Sequence, residues 1–392
     1  MHLEKKLIPP MLVWALAFAS TAIYVFERGY PQPGHILMLA FAIAVSLSLK
    51  LQPFDLPEKL LLTFVCYVLL INTYFYVDQG GVDFLIASAY WVYNAIIFLS
   101  LRRLFIFNPR VAEALPYGFL FVISLTIFLI LFGGDRFFWD TRFIGTFNDP
   151  NQLSYWLLCA LVGTILCKNR PSWFSPSIGL IAVILVFVIA VVAGSRSAVI
   201  ATWVLLLATL WWAVACALPK GNFRAGIGRK GGYFCVAALL IVAIAALTYQ
   251  LNAGVTVAVD DFVTRVLDRD EDYAEQLYIR GYTRLYEFPQ YLIFGSGEGQ
   301  NGRFTPGLFE IHSSFAAPLF YYGIFGFALI YAFFYTLIQG RLRGWQVLAI
   351  SAPFVYGLFT YGLRTPIFWI MLAVVCAQLR SISGSEKSND HR

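Results

Sequence analysis

Residues 173–194 read WFSPSIGLIAVILVFVIAVVAG and contain no charged side chain. A run of about 17–25 apolar residues is long enough to cross the hydrocarbon core of a bilayer as an α-helix. A second apolar run, 196–218, follows directly after the turn Gly194-Ser195-Arg196-Ser197. The stretch therefore predicts two membrane-spanning helices joined by a tight turn that carries Arg196.

The composition of the whole chain agrees with this prediction. Of its 392 residues, 59% are hydrophobic and 13% are charged, and the mean hydropathy is +0.71. Soluble domains carry about 25% charged residues, so a soluble globular protein is excluded. In a membrane protein, a net charge of +6 reports topology before it reports binding to nucleic acid. The six cysteines lie in or beside apolar runs, which favours a packing role over disulfides or metal binding.

Twelve apolar runs predict an all-α integral membrane protein with about 12 transmembrane helices. One polytopic domain covers residues 1–380, with a large outer helical loop at 251–311 and a polar, disordered tail at 381–392. The tenth run is long enough to be a half-helix followed by a full one. The runs are 8–27, 33–51, 57–77, 83–101, 115–133, 150–168, 173–194, 196–218, 232–250, 315–338, 345–362 and 364–380.

The distribution of basic residues predicts the orientation of the chain. With both termini in the cytoplasm, the inner loops receive eight lysines and ten arginines, and the outer loops receive ten arginines and no lysine. Topology alone would deplete lysine and arginine together. The retention of arginine favours recognition of phosphate or carboxylate by its planar, permanently charged fork. Arg265 and Arg269 have an alternative explanation, because each lies in an acidic run that would pair with it.

The third outer loop contains a candidate anion site. Arg142 precedes residues 145–151, GTFNDPN, in which Asn148, Asp149 and Pro150 are typical of a helix start. The N-terminus of a helix favours anions, and Asn151 lies in its first turn. A plain helix cap at the membrane interface is the alternative. The tip arginine Arg196 likewise contacts either a lipid phosphate or the phosphate of a substrate.

The large loop at 251–311 predicts two helices. Apolar residues between 262 and 267 recur at helical spacing, and a second helix is expected from 273 to 288, before Pro289. Arg280 and Arg284 would share one face of it, with Tyr282 on a neighbouring tyrosine face. This arrangement suits a pyrophosphate with sugars attached. The turn at 295–299, GSGEG, could offer backbone amides to an anion.

His312 follows the loop where the chain becomes apolar again. An unperturbed histidine has a pKa near 6.5, so it can accept a proton from a hydroxyl at neutral pH. The neighbouring Ser313 could orient the histidine or the hydroxyl. The alternative is an interfacial histidine that caps the next helix. We expect catalysis because His312 follows an arginine-rich loop.

These residues resemble the superfamily of bacterial O-antigen ligases and O-antigen polymerases. The resemblance covers roughly residues 140–330, and no single motif carries it; the order, the spacing and the common outer placement do. Its parts are Arg142 with GTFNDPN at 145–151, AGSRSA at 193–198, Arg280 and Arg284, FGSG at 294–297, and His312-Ser313 followed by Gly323. Phe327 departs from the pattern, since the family often has a small residue or tyrosine there.

The resemblance implies a GT-C-like helical bundle in the bacterial inner membrane with a periplasmic active site. It implies an inverting ligase that moves a polysaccharide from undecaprenyl pyrophosphate to a sugar hydroxyl of lipid A-core, without a nucleotide sugar, metal or other cofactor. Arg280 and Arg284 would hold the pyrophosphate and His312 would act on the acceptor hydroxyl. The residues expected to bind substrate are Arg142, Arg196, Asn148, Asn151, Tyr282 and Ser313.

Two alternatives stay open from the sequence. An O-antigen or exopolysaccharide polymerase would join repeat units on the same lipid carrier. A lipid-linked oligosaccharide flippase would instead place ionisable groups at mid-membrane and break helices at matched positions in two halves. The charges cluster at the outer edge, which favours the transferase. The expected partners are the glycan donor, the lipid A-core acceptor and membrane lipids, with no nucleic acid.

Overall fold

The computed structural model describes residues 8–27, 30–49, 53–167, 170–217, 253–267, 273–304, 310–339, 342 and 344–389. The described chain is dominated by α-helices, and its short strands form one two-stranded sheet. The chain falls into two compact units. The first takes its described residues from 1–41, 107–268 and 343–356, and the second takes them from 42–106, 269–342 and 357–392.

The helices follow in chain order. They are α1 Ile8–Ser20, α2 Pro33–Ser48, α3 Leu56–Gln79, α4 Asp83–Phe107, α5 Leu115–Phe132, α6 Pro150–Leu166, α7 Pro176–Val192, α8 Arg196–Ala217, α9 Ala253–Leu267, α10 Tyr273–Ile279, α11 Arg284–Glu287, α12 Ala316–Ile338, α13 Gly344–Gly357 and α14 Pro366–Asn389. Strand β1, Phe138–Trp139, pairs with β2, Arg142–Phe143, in an antiparallel hairpin. Short 3₁₀ turns cover Pro109–Ala114, Asp135–Phe137, Pro289–Tyr291, Asn301–Arg303 and Gly362–Arg364.

Five described helical segments are long and apolar enough to cross a membrane. They are Leu56–Gln79, Asp83–Phe107, Pro109–Phe132, Arg196–Cys216 and Ala316–Ile338. Because such segments recur along the chain, the protein is an all-α, multi-pass membrane protein. Helices occupy every predicted run except 232–250, which lies outside the described residues. The number of twelve spans stays a prediction.

In the first unit, α6 is the central helix. It packs against α5, α7 and α8, while α1 packs on α5 and α9 packs on α7. Most of its side chains are buried, which explains why its apolar surface is nearly continuous. Its start is fixed by Asp149, whose carboxylate accepts hydrogen bonds from the backbone N–H groups of Asn151 and Gln152. The helix start predicted from Asp149 and Pro150 is confirmed.

In the second unit, α12 packs along α3 and breaks at Gly323. Gly323 has φ +62°, and a Cβ there would lie 2.2 Å from the Ile293 carbonyl oxygen, so glycine is needed. The break frees carbonyl groups that must be satisfied inside a membrane protein. The loop at 292–297 satisfies them: Ser296 N donates to Phe320 O at 3.0 Å and Gly297 N to Tyr321 O at 2.9 Å. The predicted half-helix is confirmed.

The turn at 295–299 therefore has a different use from the one predicted. The amides of Ser296 and Gly297 complete α12, and the amide of Glu298 donates to Asn72 Oδ1 at 2.8 Å. The expectation that these three amides approach an anion is wrong, because the broken helix and Asn72 already occupy them.

The predicted helix from 273 to 288 is interrupted. Helix α10 ends at Ile279, and Gly281, two residues later, has φ +71°. The amides of Gly281 and Tyr282 donate back to Tyr278 O and Leu277 O. This pattern is a Schellman motif, which ends helices at a left-handed glycine. The chain restarts as the short α11. Arg280 and Arg284 therefore do not share a helical face, and the predicted tyrosine face with Tyr282 does not form.

The tail prediction also needs correction. Helix α14 runs to Asn389, so residues 381–389, predicted to be disordered, are helical. No proline interrupts the sequence at 381–389, so the helix that begins at Pro366 continues through these polar residues.

Candidate functional site

A cluster of three arginines lies in the first unit, around the turn between α7 and α8. We call Arg142, Arg196 and Arg265 the arginine cluster. The β1–β2 hairpin presents Arg142, which pairs with Trp139 across the strands. Arg196 begins α8, and Arg265 lies in the last turn of α9.

The backbone of the turn makes room for these side chains. Gly194 has φ +62°, and the amides of Gly194 and Ser195 bond to Val191 O and Ala190 O, which completes a second Schellman motif. A Cβ on Gly194 would lie 2.5 Å from Arg265 Nη2 and 3.0 Å from Arg142 Nε. Glycine is therefore required both for the turn and for the approach of two guanidinium groups.

The guanidinium group of Arg142 bridges two segments. Its Nε donates to Ala193 O at 3.1 Å, and its Nη2 donates to Asn151 Oδ1 at 3.3 Å. Asn151 Oδ1 also accepts from Ser195 Oγ at 3.0 Å, and Asn151 O accepts from Tyr356 OH at 2.9 Å. Arg142 and Asn151, both predicted to bind substrate, are thus brought together by the structure.

The other two arginines are held by α9. Arg196 Nη1 donates to Arg265 O at 3.2 Å, and Arg265 Nη2 lies 2.6 Å from Asp261 Oδ2. Asp261 also accepts from Thr141 Oγ1 at 3.0 Å. The acidic pairing expected for Arg265 is confirmed, but the sequence did not place Arg265 beside Arg142. Arg269 lies outside the described residues.

The electrostatics of the cluster favour an anion. Burial lowers the pKa of Arg142, and the Arg265 cation lowers it further, while Asp149 and Asp261 act in the opposite direction. Two cations close enough to affect each other repel, and a bound anion removes that repulsion. Two guanidinium groups held at one turn offer several fixed donors, which suit the oxygens of a phosphate or carboxylate.

Asn148 is placed differently from Asn151. Its Nδ2 donates to Phe26 O at 2.8 Å, so the side chain joins the loop before α6 to the segment after α1. Its neighbour Thr146 donates to Ala22 O at 2.6 Å in the same region. These contacts give Asn148 a structural use, and substrate binding by it stays a prediction.

In the second unit, Arg280 and Tyr282 flank the glycine that ends α10. Arg280 Nη1 donates to Phe359 O at 3.0 Å, and the Tyr282 hydroxyl donates to Leu358 O. Both side chains thus hold the exposed loop that follows α13. The backbone N–H of His312 donates to Arg280 O at 3.1 Å. The backbones of Arg280 and His312 are therefore in contact, and a site shared by their side chains stays a prediction.

His312 is half-buried, and the serines after it are occupied by the backbone. Ser313 Oγ accepts from the N–H groups of Phe315 and Ala316 at 3.2 Å each, which caps the start of α12. Ser314 Oγ donates to Thr360 O at 3.1 Å and accepts from Gly362 N at 3.0 Å. The contacts of Ser313 are those of a helix cap, and its predicted role toward substrate stays a prediction.

Arg284 is fully buried, with 0% of its surface exposed. Its Nη1 donates to Asn301 Oδ1 at 2.9 Å, which also accepts from Tyr321 OH at 2.8 Å. That hydroxyl accepts from Ile311 N at 3.0 Å, one residue before His312. A chain of hydrogen bonds therefore joins Arg284 to the backbone beside His312. Burial lowers the pKa of Arg284.

Arg303 lies close to Arg284 in an aromatic setting. Both guanidinium groups lie over the Phe304 ring, at 4.6 Å for Arg303 and 5.2 Å for Arg284. Burial lowers the pKa of Arg303 to about 10, and the Arg284 cation acts in the same direction. The Nη2 of Arg303 donates to Ser296 O and Gly297 O. Cation–π contacts and carbonyl groups give this cation a structural role.

Sequence reasoning missed an acidic centre at Glu298. Its side chain has 0% exposure and accepts from Trp91 Nε1 at 2.8 Å and from the hydroxyls of Tyr322 and Tyr361. Arg364 forms ion pairs with both Glu298 and Glu310. Burial alone would lower the pKa of Arg364, but the two carboxylates raise it well above its ordinary value. The signal in the sequence was a single carboxylate, Glu298, among the glycine and serine residues of the turn at 295–299.

No metal-binding geometry occurs within the described ranges: no group of three or more His, Cys, Asp or Glu side chains could hold an ion there. No protein-family model matches the sequence, and no curated protein matches it either. The chemistry is therefore argued from two regions: the arginine cluster of the first unit, and the segments of the second unit where the backbones of Arg280 and His312 meet.

Proposed function

We propose that this protein is an O-antigen ligase of the bacterial inner membrane, acting at the periplasmic face. It transfers a polysaccharide from undecaprenyl pyrophosphate to a sugar hydroxyl of lipid A-core. The observation that carries the proposal is the arginine cluster, in which the guanidinium groups of Arg142 and Arg265 both lie against Gly194 at the turn that presents Arg196. Such a cluster suits a pyrophosphate better than a neutral ligand. The resemblance of the loop motifs to the ligase superfamily points to the same chemistry.

The proposed step is an inverting displacement. The acceptor oxygen forms a bond to the anomeric carbon of the donor sugar while the bond from that carbon to the pyrophosphate oxygen breaks. The electron pair leaves with the pyrophosphate, whose charge arginine side chains stabilise; this kind of stabilisation is usually the largest catalytic contribution. His312 accepts the proton from the acceptor hydroxyl. Atoms and charge balance without a metal or a redox partner.

Within this proposal the two arginines of the large loop have different roles. Arg280, partly exposed and bonded through its carbonyl to His312 N, contacts the donor. Arg284 is buried, so we assign it a positioning role through Asn301 and Tyr321. Tyr321→Phe removes the hydroxyl that joins Asn301 to Ile311. We expect it to lower kcat per folded molecule, with the folded fraction measured by size-exclusion chromatography, while the KM of the donor stays unchanged. A general loss of folded protein would leave kcat per folded molecule unchanged.

The test uses the purified full-length protein in lipid nanodiscs with a lipid-linked glycan donor and lipid A-core. Capped lipid A-core is the expected product, and Arg196→Ala, Arg280→Ala and His312→Ala should each lose it. Glu275→Ala is the control, because Glu275 is an exposed acid outside both regions. Elongated carrier-linked glycan in place of capped core would assign the protein to the polymerases. Donor movement across the bilayer without acceptor would assign it to the flippases.

A further inference from the structure

A polar pocket opens within the second unit, beside the segment that leads to His312. Its volume is about 210 Å³, and its walls come from the start of α4, the turn at 298–301, Glu310 and Arg364. A water molecule occupies about 30 Å³ of liquid, and pockets for drug-sized ligands begin at about 300 Å³. The pocket is thus larger than a hydration site and fits a ligand of about one ring.

The side chains that line the pocket are suited to bind a ligand with several hydroxyl groups. Five of the side chains end in a planar group with two or more atoms that donate or accept hydrogen bonds. They are Asp83, Gln300, Asn301, Glu310 and Arg364. Paired atoms of this kind match the neighbouring hydroxyls of a sugar. On the α4 side the wall is less polar, which gives an apolar ring face somewhere to lie.

That α4 wall contains Ile86, Ala87 and Tyr90. Tyr90 combines an aromatic surface with a hydroxyl, which is a frequent partner for a ligand that is apolar on one side and polar on its rim. Ile86 is 43% exposed, so its side chain is accessible from outside the protein core. The pocket therefore presents an apolar face and a polar rim together.

The pocket is held open by buried interactions. Glu298, one of the lining residues, is fully buried and is fixed by Trp91 and Arg364. Arg364 is fixed in turn by Glu310. Gly81 leaves space for the Gln300 amide: a Cβ there would lie 1.9 Å from Gln300 Nε2. Rigid walls reduce the ordering cost of binding, which favours a specific ligand.

The charges of the pocket exclude a phosphate. The lining contains three carboxylates, of Asp83, Glu298 and Glu310, and one arginine, Arg364, so it is net negative. A divalent cation is also disfavoured, because the Arg364 guanidinium occupies the place between two of the carboxylates. A neutral or amine-bearing ligand remains compatible with these charges.

We infer that this pocket binds a single neutral or amine-bearing sugar ring. Because Glu310 lies two residues before His312, we further assign the ring to the acceptor, and this assignment rests on the proposed function. The site would then recognise the acceptor by its hydroxyl pattern, separately from the arginine cluster that recognises the donor.

Binding is tested without any donor, by saturation-transfer difference NMR on the full-length protein in nanodiscs. The probes are the methyl pyranosides of glucose, galactose and glucosamine, with methyl glucuronide as a ligand of the same shape and opposite charge. We expect at least one of the first three to bind and the glucuronide to bind at least about tenfold more weakly. The glucuronide carboxylate is repelled by the net negative lining of the pocket, and a tenfold loss of affinity corresponds to about 1.4 kcal/mol.

Two variants locate the binding. Asp83→Ala removes an exposed acid from the rim, and Ile86→Trp fills the pocket without touching the network around Glu298; each should weaken binding at least tenfold. Glu275→Ala, which removes an exposed acid of the same unit outside the pocket, should leave it unchanged. Absence of binding by all three pyranosides overturns the inference, as does binding that neither variant weakens.

The outcome is separable from that of the proposed function. Sugar binding by a protein that makes no capped lipid A-core would overturn the transferase and the acceptor assignment, and keep the pocket. Production of capped core by a protein that binds none of the pyranosides would overturn the pocket and keep the transferase.

Discussion

The arginine cluster and the Glu298 centre differ in how their charges are balanced. In the cluster, Arg265 is ion-paired with Asp261, while Arg142 and Arg196 donate to backbone carbonyls. In the Glu298 centre, one arginine lies between two carboxylates. The Ala193 carbonyl orients the Arg142 guanidinium group without cancelling its charge, and this arrangement suits an anionic ligand. In the Glu298 centre, the two carboxylates neutralise the charge of Arg364, so this cation has a structural role.

The largest effect is expected from Glu298→Ala. This change leaves Arg364 without one of its two carboxylates and removes the acceptor of Trp91, Tyr322 and Tyr361. Breaking a buried ion pair from one side costs about 3–5 kcal/mol. We expect a marked fall in the midpoint of thermal unfolding in detergent. Glu275→Ala is the matched control, and equal midpoints for the two variants would show that Glu298 is not structural.

Removal of Arg142 should act on transfer more than on folding. Loss of one preorganised donor to developing charge lowers kcat by about 10²–10³-fold, which we expect for Arg142→Ala with the lipid-linked donor. Arg142→Lys keeps the charge but cannot bridge Ala193 O and Asn151 Oδ1 with one planar fork. We therefore expect the lysine variant to remain impaired. Recovery to the wild-type rate would mean that charge alone matters there.

The two helix-ending glycines provide a matched pair. Gly194 and Gly281 both lie in the left-handed region, at φ +62° and +71°, so alanine should cost about 1–2 kcal/mol at either position. At Gly194 the added Cβ also meets two arginines, the nearer at 2.5 Å, whereas at Gly281 the nearest atom is 3.3 Å away. Gly194→Ala should therefore be the more destabilising in thermal unfolding. If Gly281→Ala were the more destabilising variant, the close approach of the two arginines to Gly194 would not contribute to stability.

The sequence predicted the positions of the described helices well because an apolar helix is specified locally. Apolar length alone located the helices, and Asp149 with Pro150 located the start of α6. Arg142 and Asn151 were predicted together for the same reason, since both belong to one loop and the helix that it begins. The contact between Arg142 and Asn151 and the start of α6 thus depend on residues that are near each other in the chain.

The failures have the opposite origin. Helical spacing predicted one face for Arg280 and Arg284, but a single left-handed glycine, Gly281, outweighed it. The role of Glu298 depends on Trp91 and Arg364, which are distant in the chain and give no periodic signal. The burial of Arg284 likewise depends on tertiary packing, which the number of arginines in the outer loops does not predict.

The smallest effect is expected where a tyrosine bonds at the surface. Tyr282 donates to the exposed Leu358 carbonyl, and water can replace it there, so Tyr282→Phe should cost at most about 0.5–1.5 kcal/mol. Tyr322→Phe is the control, because its buried hydroxyl donates to the Glu298 carboxylate and should cost about 1.5–3 kcal/mol. Hydrogen exchange at Leu358 and Phe359 should rise in the Tyr282 variant only. If exchange there is unchanged while transfer falls, Tyr282 contacts the glycan, as the sequence predicted, and the loop is held by Arg280 alone.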